Sequence, residues 1–348
     1  MNALLDPGLD LTLAAYRGYQ RLFAESRLAP ALSRPRPVRR DGFELSLVVA
    51  AREQVAQDVV ALTLVAPDGA VLPSWTPGAH LDVFLPSGRQ RQYSLCGDPA
   101  HRRHYRIAVR LLPDGAGSRE IHEDVAAGSR LTVRGPRNAF HLVPEASYLF
   151  VAGGIGITPL LPMVRCVAAS GTDWRLVYLG RSRETLPFLG ELARYSDHVD
   201  VRTDDQHGVP DAEALVGLAA PGAGVYLCGP PALVDSVRPA LAEVNPTARL
   251  YSERFSAPPV RGGEPFTATL SRTGTTVEVG ADESLLAALR REVPGVAYSC
   301  QQGFCGTCKL TVLEGEVEHR DTLLLDSERN TSMLPCLSRG SGTLVLDV

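Results

Sequence analysis

The sequence predicts a multidomain fold: an antiparallel β-barrel, then an α/β domain on a parallel sheet, then a smaller α+β domain. Three observations support it. Six short alternating runs lie between Phe43 and about Phe140, and strands and helices alternate between Ser147 and Phe255. A Pro/Gly-rich stretch then precedes a last segment with four closely placed cysteines. At 348 residues the chain exceeds one ordinary core, so two or three domains are expected.

Residues 1–40 form a separate N-terminal piece. Leu11, Leu13, Ala14, Tyr19, Leu22 and Phe23 can line one side of a short helix, and Pro30, Pro35 and Pro37 among arginines read as a linker. This is a docking or mobile extension, or else a partner-binding segment. Over residues 41–143, FELSLVV, DVVALTLVA, HLDVFLP, RQYSL, YRIAVRLL and RLTVRG are each bounded by Pro, Gly or Asp. With one helical stretch near Ser118 to Val125, they predict a small antiparallel barrel.

Over residues 144–256, YLFVAGG, RLVYLG, VDVRTDD, GVYLCGP and RLYSERF alternate with helices after Pro159, near Phe188 to Tyr195 and from Ala232. That order predicts a parallel sheet covered on both faces, with the strand C-termini along one ligand-binding edge. Residues 257–265 read as linker. Within residues 266–348, FTATLSRTGTTVEV reads as a hairpin turning near Thr273 and Gly274. Asp282 is the expected N-cap of a helix through Arg291, and TLVLDV is a closing strand.

Apolar residues at 45%, charged residues at 21% and a net charge of −4 describe a globular protein without the basic face that nucleic acid requires. The basic residues are nearly all arginine, with Lys309 the single lysine. No run approaches the roughly 18 apolar residues of a membrane span. Asp6 and Asp10 stand where a signal peptide carries positive charge, so a cytoplasmic location is expected. In a reducing compartment, clustered cysteines suggest ligation more than disulfides.

Cys300-x₄-Cys305-x₂-Cys308, followed by Cys336, has the spacing by which plant-type ferredoxins hold a [2Fe–2S] cluster. Gly303 and Gly306 between them suit a loop that folds tightly and turns backbone N–H groups toward sulfur. Zinc is the alternative, but it favours paired C-x₂-C knuckles and only one is present; unligated thiols are a third reading.

GGIGITP, Gly153 to Pro159, follows a strand and opens a helix, where unpaired N–H groups can receive a pyrophosphate. Gly153, Gly154 and Gly156 are the candidate contacts, although a packing turn would read similarly. CGPP, with Cys228, Gly229 and Pro230, repeats the arrangement after a later strand, and the two together favour a dinucleotide crevice. In RQYS, alternation puts Arg91 and Tyr93 on one face and Ser94 on the other unless the strand bends. Arginine suits a phosphate, an aromatic ring can lie on a flavin, and a hydroxyl can bond ring nitrogen. In isolation RQYS is a weak signal and reads first as a surface strand.

RQYSLCGDP, YRIAV, VAGGIGITPLL, CGPPAL, SERF, SCQQGFCGTCK, GEVEHRD and PCLSR occur in one order from about Phe43 to Val348. In this the chain resembles the phthalate dioxygenase reductase family, flavin reductases with a C-terminal plant-type ferredoxin domain. The resemblance implies an FMN-binding barrel, an NAD(P)-binding α/β domain and a β-grasp ferredoxin domain. It implies that Arg91, Tyr93 and Ser94 hold FMN, with Ala108 and Val109 along its edge and Gly117 and Ser118 at its phosphate. Thr158 would approach the flavin, Phe255 would cover the ring face that receives nicotinamide, and Cys228 would flank the nicotinamide. The lack of an adenine-binding insertion favours FMN over FAD.

Two features depart from the family plan. Residues 1–40 have no counterpart in it, and Arg181 and Arg183 follow the second strand of the nucleotide domain, where an acidic residue commonly bonds the ribose of NAD. NADH is the expected donor, and the arginines keep NADPH open.

The implied activity is an NAD(P)H-dependent oxidoreductase that accepts hydride on a flavin and delivers single electrons through the cluster to a partner oxygenase. That partner would be a Rieske-type dioxygenase or demethylase, or a haem-thiolate monooxygenase. No catalytic acid, base or nucleophile is required, so His80, His104 and His122 are read as packing or surface residues. A non-enzymatic redox sensor would need no intact nicotinamide site, and nothing resembles the haem loop or facial triad of a self-sufficient oxygenase.

Overall fold

A computed structural model describes residues 44–303 and 305–348. The helix and linker expected within residues 1–40 lie outside the described residues. Residues 43–348 form one compact unit.

The first six strands are β1 (Glu44–Ala56), β2 (Val59–Val65), β3 (Ala79–Phe84), β4 (Gln90–Ser94), β5 (Tyr105–Arg110) and β6 (Arg130–Asn138). They pair antiparallel in the order β4-β3-β6-β1-β2-β5. The outer strands meet through a Leu95–Ile107 bridge, and Cys96 N–H donates to the Arg106 carbonyl at 2.9 Å, which closes the barrel. Period-two alternation sends Leu81 and Val83 into the barrel core and leaves His80 and Asp82 on the other face of β3. Helix α1 (Ala116–Asp124) adds Ile121 to that core.

The α/β portion runs β7 (Ser147–Gly153), α2 (Ile157–Ser170), β8 (Asp173–Gly180), β9 (Val199–Thr203), β10 (Gly224–Cys228), α3 (Pro231–Val244) and β11 (Arg249–Glu253). All five strands are parallel, in the order β11-β10-β7-β8-β9. Alternate residues feed two cores: Phe150 and Tyr178 pack with Leu160 and Val164 of α2, while Val151 and Val177 pack with Val234 and Val237 of α3. The sheet is therefore covered on both faces. The helix expected near Phe188 to Tyr195 is a single α-turn, Leu189–Leu192, continued as a 3₁₀ turn, Ala193–Tyr195.

The C-terminal portion comprises β12 (Phe266–Leu270), β13 (Thr276–Val279), α4 (Leu285–Glu292), β14 (Leu310–Glu318), β15 (Ser332–Met333) and β16 (Arg339–Leu346). The sheet order is β13-β12-β16-β14-β15, with β12 parallel to β16 and the other pairs antiparallel. Leu285, Leu286 and Leu289 bury one face of α4 against it.

Two details differ from the sequence expectations. The N-cap of α4 is Ser284, whose hydroxyl accepts from Ala287 N–H, whereas Asp282 sits two residues upstream in the preceding turn. Helix α4 stops before Pro294, which disfavours helical geometry at Val293. Strand β14 is absent from the sequence expectations because Gly315 interrupts its alternation; its pairing to β16 shifts register between Val312 and Glu316.

Candidate functional site

Between the barrel and the parallel sheet lies a mostly apolar cavity of about 450 Å³. Arg91, Tyr93 and Ser94 all line it, so β4 coils as it closes the barrel and brings residues of both faces to one space. Ala108 and Val109 form part of the wall, Thr158 lies on the side of the sheet, and the half-exposed Phe255 stands at the edge. Thr158 itself is anchored, its hydroxyl donating to the Ile155 carbonyl at 2.9 Å.

One end of the cavity is the N-terminus of α1. A Cβ on Gly117 would lie 2.8 Å from Arg91 Nε, so the guanidinium rests directly on the helix start. The Ser118 hydroxyl donates to the Gly115 carbonyl at 2.9 Å and accepts Leu112 N–H at 3.1 Å, fixing the approach loop. An arginine over the positive end of a helix suits a phosphate. The residues present therefore fit a flavin phosphate there.

The opposite wall is the switch point of the sheet, where chain order reverses between adjacent β7 and β10. A Cβ on Gly153 would meet Pro230 Cδ at 2.6 Å, and one on Gly156 would strike the Cys228 carbonyl. The two glycine loops thus pack backbone on backbone, and Gly153, Gly156, Gly229 and Pro230 all face the cavity. Gly154 stands just off the lining and accepts the Tyr178 hydroxyl at 3.2 Å. Cys228 is fully buried beneath the lining, its thiol held well above the ordinary range by desolvation and by the Glu253 carboxylate. Arg181 and Arg183 follow β8 as exposed residues outside the lining.

Two polar residues of this site escaped the sequence reading. Arg110 lines the cavity beside Gly154, and desolvation together with nearby Arg181 lowers its proton affinity. Glu253 ends β11, where burial pushes its carboxyl up to about 8, and the Ser94 hydroxyl reaches it at 3.5 Å. Its place at the C-terminal end of a parallel strand was the available signal.

The four cysteines gather as two pairs. The Cys305 thiol is drawn down to about 5, chiefly by its hydrogen bond to Cys300 and also by the Thr307 hydroxyl and amide. Cys308 is likewise lowered by its bond to Cys336, whose own thiol that pairing and burial raise. The Gly303 amide adds a bond to the Cys336 sulfur, and Gln302 N–H donates to Cys300 Sγ at 3.3 Å. Gly303 and Gly306 have φ of 78° and 70°, the conformation expected of this loop. Among the described residues no three His, Cys, Asp or Glu side chains converge on a single-ion position. The paired cysteine sulfurs with their amide donors would suit a [2Fe–2S] cluster.

A second cavity, of about 320 Å³, shares Arg91, Gln92, Ser94 and Phe255 with the first and extends to Cys300 and Gln302. The two sites therefore adjoin. Among the described residues no helix is long and apolar enough to cross a membrane.

Residues 46–142 match the family described as an oxidoreductase FAD-binding domain, and residues 268–339 match the 2Fe-2S iron-sulfur cluster binding domain. The chain is 41% identical over 318 residues to phthalate dioxygenase reductase of Burkholderia cepacia, covering 88% of this chain and 98% of that protein. The solved structure of a phthalate dioxygenase reductase superposes with a TM-score of 0.66 at 39% identity, over 88% of this chain and 98% of the other. An intact type IV self-sufficient cytochrome P450 monooxygenase superposes with a TM-score of 0.70 at 37% identity, over 93% of this chain and 45% of that protein. With a flavin-binding barrel, a parallel α/β sheet and a 2Fe-2S domain in one order, the chain belongs to the phthalate dioxygenase reductase family of oxidoreductases.

Proposed function

We propose that the chain takes hydride from NADH onto FMN and passes electrons singly through its [2Fe–2S] cluster to a partner oxygenase. The observation that carries this reading is the adjoining pair of cavities, which runs from the glycine loops of the sheet past Arg91 and Ser94 to Cys300. When bound, flavin and cluster convert a two-electron donor into one-electron steps.

The protein's own residues position and exclude. Gly153, Gly156, Gly229 and Pro230 let the dinucleotide backbone approach the switch point. Arg91, Gly117 and Ser118 receive the flavin phosphate, and Tyr93 with Val109 supplies apolar wall. Phe255 covers the face where nicotinamide stacks, with Cys228 buried below. Ser94 and Glu253 place a hydroxyl and a carboxyl at the polar edge. Cys300, Cys305, Cys308 and Cys336 hold the irons, and their amide donors stabilise negative charge on sulfur.

FMN is favoured over FAD because the cavity ends at Arg91 and α1, where the connection Leu111 to Gly115 has no inserted adenosine-binding segment. Arg181 and Arg183 at the end of β8 favour a second reading of the donor, NADPH. A reducing, cytoplasmic setting agrees with four clustered cysteines read as ligands rather than as disulfide partners. Anaerobic titration with NADH and, separately, NADPH, followed by visible absorbance, tests the donor and the count of flavin and cluster electrons. Three electrons per chain taken from NADH is the expected result; no bleaching with either nucleotide would defeat the reading.

A further inference from the structure

Asp82 is 1% exposed, although it lies on the face of β3 that turns away from the barrel core. Its Oδ1 accepts from Gln92 Nε2 at 2.9 Å and from Ser299 Oγ at 3.0 Å. Its Oδ2 accepts from Arg137 Nη1 at 2.8 Å, and that guanidinium continues to Thr307 Oγ1 at 3.3 Å. Ser299 precedes Cys300, and Thr307 lies between Cys305 and Cys308, where it bonds the Cys305 sulfur. One carboxylate therefore secures both arms of the cysteine loop.

Among the described residues, no apolar cluster spans this link. The barrel core and the C-terminal core are separate clusters. Further polar bonds join the two: Gln90 Nε2 donates to the Tyr298 carbonyl at 2.9 Å, the Tyr298 hydroxyl donates to the Gln90 carbonyl at 3.3 Å, and Gln92 Nε2 donates to Ser299 Oγ at 2.6 Å. A buried ion pair adds little net stability, but a fully bonded one fixes geometry. Gln92 also belongs to β4, the strand that carries Arg91, Tyr93 and Ser94.

We infer that Asp82 is a positioning residue: it holds the cysteine loop at a fixed distance from the flavin cavity and so sets the rate of single-electron transfer between them. The inference rests on the proposed function. Asp82 itself exchanges neither electron nor proton. Hydride brings two electrons and a proton to the flavin, the electrons leave one at a time to reduce ferric iron to ferrous, and the proton returns to solvent.

The test uses the full-length holoprotein with Asp82→Ala, Asp82→Asn and Ser299→Ala. Stopped-flow absorbance separates flavin bleaching by NADH from cluster reduction, and hydrogen exchange of residues 298–307 in oxidised protein reads the loop without turnover. Asp82→Ala is expected to leave flavin bleaching within about twofold of wild type, to slow cluster reduction at least about tenfold and to speed loop exchange about tenfold. Asp82→Asn keeps an acceptor without the charge and falls between, and Ser299→Ala gives a smaller loss in the same direction. Wild-type cluster reduction and exchange in Asp82→Ala would overturn the proposal. If that variant loses its cluster, Ser299→Ala and Arg137→Met each cut one arm, and wild-type behaviour in both would overturn it equally. A wild-type protein that NADH fails to bleach would instead refute the proposed function, while the exchange data would still report on Asp82.

Discussion

The barrel joins its two neighbours in opposite ways. Toward the parallel sheet, Val59, Ala61, Ala108 and Phe140 merge into one apolar core with Phe150, Ile157 and Tyr226. Toward the cysteine portion, the hydrogen bonds among the described residues run through Asp82, Gln90, Gln92, Arg137, Tyr298, Ser299 and Thr307. Apolar burial is strong but non-directional, roughly 1.5–3 kcal/mol for each large side chain. Hydrogen bonds contribute less to stability and much more to orientation. The nucleotide crevice is thus built into a common core, whereas the cluster is docked against it by geometry.

The largest expected effect comes from removing a ligand on the polar side. Cys305→Ala should abolish one-electron delivery to a protein acceptor while NADH still bleaches the flavin, as followed by stopped-flow absorbance; undiminished delivery would take the cluster out of the path. On the apolar side, Phe140→Ala should lower stability by about 3–5 kcal/mol in urea unfolding, because it empties a site in the shared core against Tyr226. An unchanged midpoint would show that the barrel and the sheet are not one core.

Where the two sides meet, Arg91→Ala should weaken flavin binding about ten- to a hundredfold in a fluorescence titration, since it removes a charge-assisted contact at the start of α1. The smallest effect is expected at Glu253. With its carboxyl pushed up to about 8, the group is neutral near pH 7, and a glutamine side chain would copy that form. Glu253→Gln should change flavin reduction less than about twofold below pH 8. Because the folded value is raised, its stabilising contribution is complete below the ordinary carboxyl value of 4.5 and declines as pH rises toward about 8. The glutamine variant should lack that decline in thermal melts taken across this window.

How far the sequence could be read follows the same division. Local signals were legible: the Cys300–Cys308 spacing, the glycines after β7 and β10, and the alternation that forms β1 to β6. Ser284 displaced Asp282 as the cap because either residue type can serve, and only the hydrogen bond to Ala287 distinguishes them. Strand β14 was hidden by the irregularity at Gly315. The Asp82 network could not be read at all, since Gln92 and Ser299 lie 207 positions apart and neither is unusual in its own segment. Glu253 gave only its position at the end of a parallel strand, because its desolvation comes from burial that only the tertiary structure creates.

The irregular stretch from Arg254 to Pro265 connects β11 to β12 and gives the docking of the cluster portion its economy. A short covalent leash holds the cluster portion at an effective local concentration on the order of millimolar. A handful of hydrogen bonds is then sufficient to hold it in register, because the connection has already removed most of the entropic cost of bringing the two portions together.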